Sequence, residues 1–218
     1  MYLIKTPSFI RKTFPGFIWN IPSANEDVKN EKDLYLTFDD GPVEEVTPYV
    51  LDLLNEYNAK ATFFCVGENI ESNPEIFADL HQQGHAIGSH SHNHLSGWAT
   101  ENSKYLTNVN KAAELSSSKL FRPPYGRIKP SQAKLIQEDY KIIMWDVLSG
   151  DFDPTITEEK CYDNVISNAH DGSIVVFHDS QKSFPILQKV LPKVLAHYHN
   201  EGYNFKSITE DCFPATLN

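Results

Sequence analysis

Parallel strands joined by crossover helices, arranged as an α/β barrel or a doubly wound sheet, are what this sequence predicts. Three observations carry that reading. Short apolar runs alternate about seven times with helical stretches, the pattern of successive βαβ units. Nearly every chemically capable residue falls just past an apolar run: Asp39 and Asp40, His90, Arg122, Asp151 a little further on, and His178. In folds of parallel strands that rim is where ligand sites gather. The 218 residues suit one domain, and 13 Phe, 10 Tyr and 3 Trp supply bulk for its core or for stacking on a sugar face.

Taken in order, residues 23 to 33 are polar and predict a loop before a first core strand at about 34 to 38. The stretch Tyr35-Leu36-Thr37-Phe38-Asp39-Asp40-Gly41-Pro42 organises the rest: an apolar strand ends in two carboxylates, and Gly-Pro turns the backbone. Adjacent carboxylates repel unless a cation or a shared proton relieves them. The plainer alternative is a turn that uses Asp and Gly for local hydrogen bonds. Thr47-Pro48 predicts a helix start, with threonine as cap, and Tyr49, Val50, Leu53, Leu54 and Tyr57 recur at helical spacing. A strand follows at about 61 to 66, Asn73-Pro74 opens a helix that ends near Gly84, and a strand at 85 to 89 leads into a histidine cluster.

Residues 101 to 117 read as helix, and Leu120-Phe121-Arg122 as a short strand terminated by Pro123-Pro124. Another helix opens at Pro130, and Lys141 to Val147 reads as one buried strand. Thr157 with Glu158 and Glu159 opens the next helix, which stops at Asp171-Gly172; Ser173 to Phe177 is an apolar strand ending on His178-Asp179. A helix over about 184 to 200, bent at Pro192, precedes a last strand near 204 to 208.

The formal charge of −10, with no run of Lys and Arg, disfavours a nucleic-acid partner. Cys65, Cys161 and Cys212 are too few and too dispersed for a disulfide framework, and a reducing compartment fits them best. Charge and proline interrupt the amino-terminal residues before a secretory apolar core develops, so neither a signal peptide nor a membrane span is visible and a cytoplasmic location is expected. The aromatic and basic mix of Phe9, Arg11, Lys12, Phe14, Phe17 and Trp19 is suited to a membrane surface or, preferably, to packing across a barrel end as an extra strand or plug.

The histidine cluster Gly84-His85-Ala86-Ile87-Gly88-Ser89-His90-Ser91-His92-Asn93-His94 is the second landmark. Imidazoles at 90 and 94 share a face of a helical turn, and those at 90, 92 and 94 would share a strand face. With a carboxylate from another rim loop, two histidines make a three-ligand metal site whose remaining positions stay open to water.

Thr37-Phe38-Asp39-Asp40-Gly41-Pro42, His90-Ser91-x-x-His94, Arg122-Pro123-Pro124-Tyr125, the Asp151 region and Val176-Phe177-His178 resemble, in order, the five motifs of the polysaccharide deacetylases, metal-dependent carbohydrate esterases. The resemblance spans roughly residues 33 to 208. It implies a distorted (β/α)7 barrel in a single catalytic domain, 33–218, with residues 1–32 as an extension packed on it. It also implies a divalent ion, usually Zn2+ with Co2+ or Ni2+ as alternatives, held by Asp40, His90 and His94. By the same resemblance Asp39 is the general base, Arg122 orients it, His178 is the general acid and Asp151 tunes that imidazole. Tyr125 would offer its backbone N–H to the oxyanion beside Pro124, and Trp145, Phe152 and Val176 are candidates for a pocket around the acetyl methyl. Phe152 stands where many relatives carry tryptophan, and Val176 where leucine is usual. His85 and His92 match no ligand position.

The expectation is therefore a monomer that hydrolyses acetyl groups from an N-acetylated, or alternatively O-acetylated, carbohydrate. The enzymatic rival is a metal-dependent amidohydrolase acting through a His-x-His pair on a small amide or nucleobase. A carbohydrate-binding module or inactive homologue would lose catalytic groups, all of which this sequence retains.

Overall fold

A computed structural model describes residues 2–22 and 32–213. Residues 23–31 of the expected first loop lie outside that range. Strands β1 (Lys32–Asp40), β2 (Thr62–Cys65), β3 (Ala86–Ser89), β4 (Leu120–Phe121), β5 (Lys141–Ile142), β6 (Val147–Leu148) and β7 (Ile174–His178) pair in parallel, in the spatial order β5-β4-β3-β2-β1-β7-β6. A short β8 (Tyr203–Phe205) runs parallel to the start of β1. Helices α1 (Ser8–Thr13), α2 (Val46–Glu56), α3 (Gly67–Ser72), α4 (Pro74–Gln82), α5 (Asn102–Ser116), α6 (Pro130–Ile136), α7 (Glu158–Ile166) and α8 (Phe184–Asn200) connect or flank them. This is the distorted seven-stranded barrel expected of the motifs.

Alternation along β1 divides its residues between two environments. Leu34, Leu36 and Phe38 join the core made with Val50 and Leu54 of α2 and Leu187, Val190, Leu191 and Val194 of α8. The Phe38 ring stacks 5.1 Å from Phe63 and 6.1 Å from Phe177. Emptying such a site costs about 3–5 kcal/mol, so these rings anchor the strand whose other face carries Thr37 and Asp39.

The stretch expected as one strand at 141–147 is two short strands, β5 and β6. The amino-terminal segment takes the hydrogen bonds between them: Ile18 donates to Ile142 and accepts from Met144, while Thr6 donates to Asp146 and Leu148 to Ile4. Residues up to Ile143 follow β4, and from Asp146 onward they follow β7, so the chain changes partners midway.

Three local expectations change. Thr47 does not cap α2, which begins at Val46 after Glu45 at φ 65°; its hydroxyl is engaged elsewhere, as described below. Asn73 precedes α4 without a side-chain cap and instead donates to the Pro42 carbonyl at 3.1 Å. The helix after Thr157 ends at Ile166, short of Asp171-Gly172. Cys65 and Cys161 are buried free thiols, Cys65 pushed well up by burial and so suited to packing rather than chemistry. Among the described residues no helix is long and apolar enough to cross a membrane.

Candidate active site

Asp39 and Asp40 end β1, where parallel neighbours place Phe64 and Cys65 on one side and His178 on the other. Asp39 is 3% exposed and points with Thr37 to the face opposite the Phe38 core. There it meets Arg122, a fully buried guanidinium. Arg122 Nη1 donates to Asp39 Oδ1 at 2.6 Å and to Thr37 Oγ1 at 2.8 Å, Nε to the Ile143 carbonyl at 3.2 Å and Nη2 to the Met144 carbonyl at 2.9 Å. Its guanidinium carbon lies 4.0 Å from the Phe64 ring centre. Burial lowers the pKa of Arg122 and the Asp39 carboxylate opposes that shift, the balance expected of a buried, paired cation.

His90 and His94 arrive on an irregular loop after β3, neither helix nor strand, with Ser91 at φ 62° and His94 at φ 51°. The chain adopts left-handed backbone at Asp40 (φ 87°) and Tyr125 (φ 60°) as well. Such conformations cost on the order of 1–3 kcal/mol each in residues other than glycine, and they gather where side chains must be aimed.

The histidine tautomers decide what this cluster can bind. His90 Nδ1 is 2.8 Å from the Arg122 carbonyl, which only accepts, so Nδ1 carries the proton and Nε2 a lone pair. Burial, partly offset by Asp39, lowers the pKa of His90 to about 4, which keeps the ring neutral. That bare Nε2 faces Asp39 Oδ2 and Asp40 Oδ1, each at 3.9 Å. Asp40 Oδ1 is buried without a hydrogen-bond partner, although His94 Nε2 approaches to 3.2 Å. Burial raises the Asp40 carboxyl, but His94 and the charges of His178 and His90 outweigh it and hold the carboxyl below its ordinary range. Ligand atoms of Asp40, His90 and His94 all lie within 4.8 Å of one another. Lone pairs converging on an unsatisfied oxygen fit a divalent cation, and nitrogen with carboxylate is a donor set suited to zinc. His94 Nδ1 lies 3.1 Å from Tyr125 Oη, a hydroxyl able to accept its proton and leave Nε2 free for a cation.

His178 closes the opposite wall. Its backbone N–H donates to Asp151 Oδ2 and its Nδ1 to Asp151 Oδ1, both at 2.8 Å, while Ser149 Oγ donates to the same Oδ1. Burial lowers the pKa of the imidazole, but Asp151, helped by Asp40 and Asp39, raises it to about 9. Phe152 sets its ring edge-on to His178 at 5.2 Å, and Trp145 lies 5.9 Å from the Arg122 guanidinium. Pro124 is buried in the turn Pro124–Gly126, and Val176 is buried on the face of β7 away from Val175 and Phe177.

His85 and His92 stand outside the cluster. His85 Nδ1 accepts the Ala61 N–H at 3.2 Å, and His92 Nε2 faces Glu71 at 3.1 Å. A residue with no sequence signal of its own, Asp179, holds the turn that follows Asp40. Its Oδ1 accepts the Gly41 N–H at 3.0 Å and its Oδ2 the Thr47 hydroxyl at 2.6 Å, while Thr47 Oγ1 accepts the Val43 N–H at 2.8 Å. Burial raises the Asp179 carboxyl to about 8. A side chain at Gly41 would collide with that carboxylate, which accounts for glycine there.

Comparison with known proteins places the chain among polysaccharide deacetylases. The family described as polysaccharide deacetylase matches residues 26–142. A peptidoglycan-N-acetylglucosamine deacetylase of Bacillus cereus is 32% identical over 205 residues, which cover 89% of this chain and 92% of that protein. The chain spans only 39% of the peptidoglycan-N-acetylglucosamine deacetylase PgdA of Listeria monocytogenes, with 35% identity over 191 residues. Among solved structures, a peptidoglycan N-acetylglucosamine deacetylase in complex with 4-naphthalen-1-yl-N-oxidanyl-benzamide superposes with a TM-score of 0.77 at 30% identity, covering 88% of this chain and 91% of its own.

Proposed function

Since this chain belongs to the polysaccharide deacetylase family, we propose that it hydrolyses the acetamido group of an N-acetylated sugar in a glycan, releasing acetate and leaving the free amine. The observation that carries the reading is the unsatisfied Asp40 Oδ1 facing the bare Nε2 of His90, between an arginine-held carboxylate and a carboxylate-held imidazole. Bacterial cell-wall glycans, the substrates named for the relatives, supply the matching chemistry.

An amide is a weak electrophile with a poor leaving group, so three demands must be met: a deprotonated nucleophile, a stabilised oxyanion and a proton for the departing nitrogen. A divalent ion held by Asp40, His90 and His94, zinc by family resemblance, acidifies water and polarises a carbonyl when bound. Asp39 takes the proton of the attacking water. Arg122 occupies its Oδ1 and so leaves Oδ2 turned toward the ligand cluster. The backbone N–H of Tyr125 donates to the oxyanion, a contribution on the order of 3 kcal/mol for one donor. His178 carries its second proton at neutral pH, because the Asp151 carboxylate stabilises the imidazolium, and delivers it from Nε2 to the leaving nitrogen. Phe152, Trp145 and Val176 exclude water around the acetyl methyl.

The deciding experiment measures metal content and acetate release from N-acetylated and O-acetylated glycan fragments and from small non-carbohydrate amides. Stoichiometric divalent metal with acetate released from an N-acetylated glycan is expected. Turnover of small amides alone would replace the glycan reading with an amidohydrolase.

A further inference from the structure

The rim carries side chains, the Tyr125 ring among them, that take no part in the hydrolytic steps themselves. Trp98 and Tyr125 are 62% and 61% exposed, and the hydroxyl of Tyr125 already touches His94, so this patch begins where the ligand cluster ends. Between the two aromatic rings stands Arg127, its guanidinium carbon 5.4 Å from the Trp98 ring centre and 5.8 Å from that of Tyr125.

Although exposed, the patch is fastened from beneath. Gly97 N–H donates to the Arg127 carbonyl at 3.0 Å and Trp98 Nε1 to the Ile128 carbonyl at 3.1 Å. Buried Gln132 donates to the Gly97 and Thr100 carbonyls at 3.0 and 3.2 Å, and Lys129 Nζ reaches Thr100 at 2.7 Å. Gly97 must lack a side chain, because a Cβ would stand 2.6 Å from the Arg127 carbonyl oxygen. Two loops are thereby locked into one pre-ordered surface, which spares a ligand the cost of ordering it.

Charge distinguishes this surface from a merely solvated one. Of the three arginines in the sequence, Arg11 is tied to Asp146 and Arg122 to Asp39. Arg127 has no carboxylate partner among the described residues, in a chain whose formal charge is −10. Exposed aromatic faces suit the C–H faces of a pyranose, and a guanidinium fork suits a carboxylate; a neutral glycan offers nothing to the latter.

We propose that Trp98, Arg127 and Tyr125 form a subsite for a carboxylate-bearing sugar adjacent to the acetamido sugar undergoing hydrolysis. The inference rests on the glycan-deacetylase reading and narrows it to acidic glycans of cell-wall type. In those, the anion comes either from an ether-linked lactyl acid or from a peptide attached to it.

Three length-matched oligosaccharides test this: a neutral N-acetylglucosamine oligomer, a peptide-free cell-wall strand with free lactyl acids, and the same strand carrying peptides. Arg127→Gln is expected to lower kcat/KM about tenfold on at least one acidic strand, mainly through KM, and less than about threefold on the neutral oligomer. A loss confined to the peptide-free strand assigns the lactyl acid, and one confined to the peptide-bearing strand assigns the peptide. Wild-type KM on the responsive strand should rise with salt, and that dependence should flatten in Arg127→Gln. Trp98→Ala should raise KM about fivefold on all three. Lys134→Gln, on the exposed side of α6, controls for lost positive charge and should leave the acidic-to-neutral ratio unchanged. Equal losses on all three glycans, or no loss, in Arg127→Gln overturns the carboxylate assignment; an unchanged KM in Trp98→Ala overturns the platform. Calorimetric titration of Asp39→Asn protein separates this from the catalytic reading. An acidic-over-neutral binding preference abolished by Arg127→Gln sustains the subsite even if no acetate is ever released, and acetate release without that preference sinks the subsite alone.

Discussion

The two ends of β7 each bring a buried aspartate to a histidine and a serine, yet the two groups differ in what they leave unsatisfied. At the amino end Asp146 accepts Lys5 Nζ and Ser173 Oγ on Oδ2, both at 2.6 Å, and Arg11 Nη2 on Oδ1, with His170 Nδ1 at 3.5 Å. Every oxygen is engaged, and His170 lies largely in solvent. Roughly 16 Å further along the strand, at about 3.3 Å per residue, His178 and Asp151 form an equally tight pair, but beside them Asp40 Oδ1 has no hydrogen-bond partner. Buried charge is therefore a poor marker of function by itself. An unsatisfied acceptor, a neutral imidazole lone pair and left-handed backbone at Asp40, His94 and Tyr125 make the better one.

The sharpest way to break the contrast is to remove one carboxylate from each end. Asp39→Asn should keep its metal and lose about 10²–10⁴-fold in kcat, whereas His90→Ala should lose the metal itself; near-full activity of Asp39→Asn would show that the base is misassigned. His178→Ala should slow amides by a comparable factor but activated acetyl esters far less, because their leaving groups need little protonation. Equal losses on both would remove the acid role. At the other end Asp146→Ala should cost about 3–5 kcal/mol of stability, since it strands Lys5 and Arg11, while kcat/KM per folded molecule stays within about twofold. A denaturant titration paired with initial rates reads both quantities.

Proton linkage sharpens the comparison at smaller scale. The pKa of His178 is raised from 6.5 to about 9, burial opposing and Asp151 outweighing it. The stabilising ion pair is thus fully present below 6.5 and lost as pH rises through about 9. If His178 is the acid, kcat for an amide should fall on the alkaline side as this imidazole loses its proton, and a cation beside Asp40 and Asp39 should draw that limb below the metal-free value. Asp151→Asn should move that limb to lower pH, and a pH–rate profile that does not shift would separate the imidazole from the observed ionisation.

Much of the candidate site was legible because each candidate polar residue either ends an apolar run or follows one, and parallel strands deliver such residues to one rim. Asp39, Asp40, His90, Arg122 and His178 were found in this way. Thr47 was misread because its hydroxyl meets Asp179 across 132 positions, a tether that outcompetes a local cap. The split of 141–148 into β5 and β6 was hidden for a similar reason, since the amino-terminal segment supplies the partners. The strained φ angles leave no trace at all, as Asp40, His94 and Tyr125 are not glycines.

The seam between β5 and β6 also bears on how the polypeptide is made. Lys5 and Asp146 are 141 positions apart, so the strip holding Lys5, Thr6 and Ile18 leaves the ribosome long before its partners exist. Distant pairings of this kind are slow to form. Until translation passes Ser173, that strip lacks the residues it pairs with. A bulky fusion placed ahead of it should therefore impair soluble yield more than one placed after the last helix.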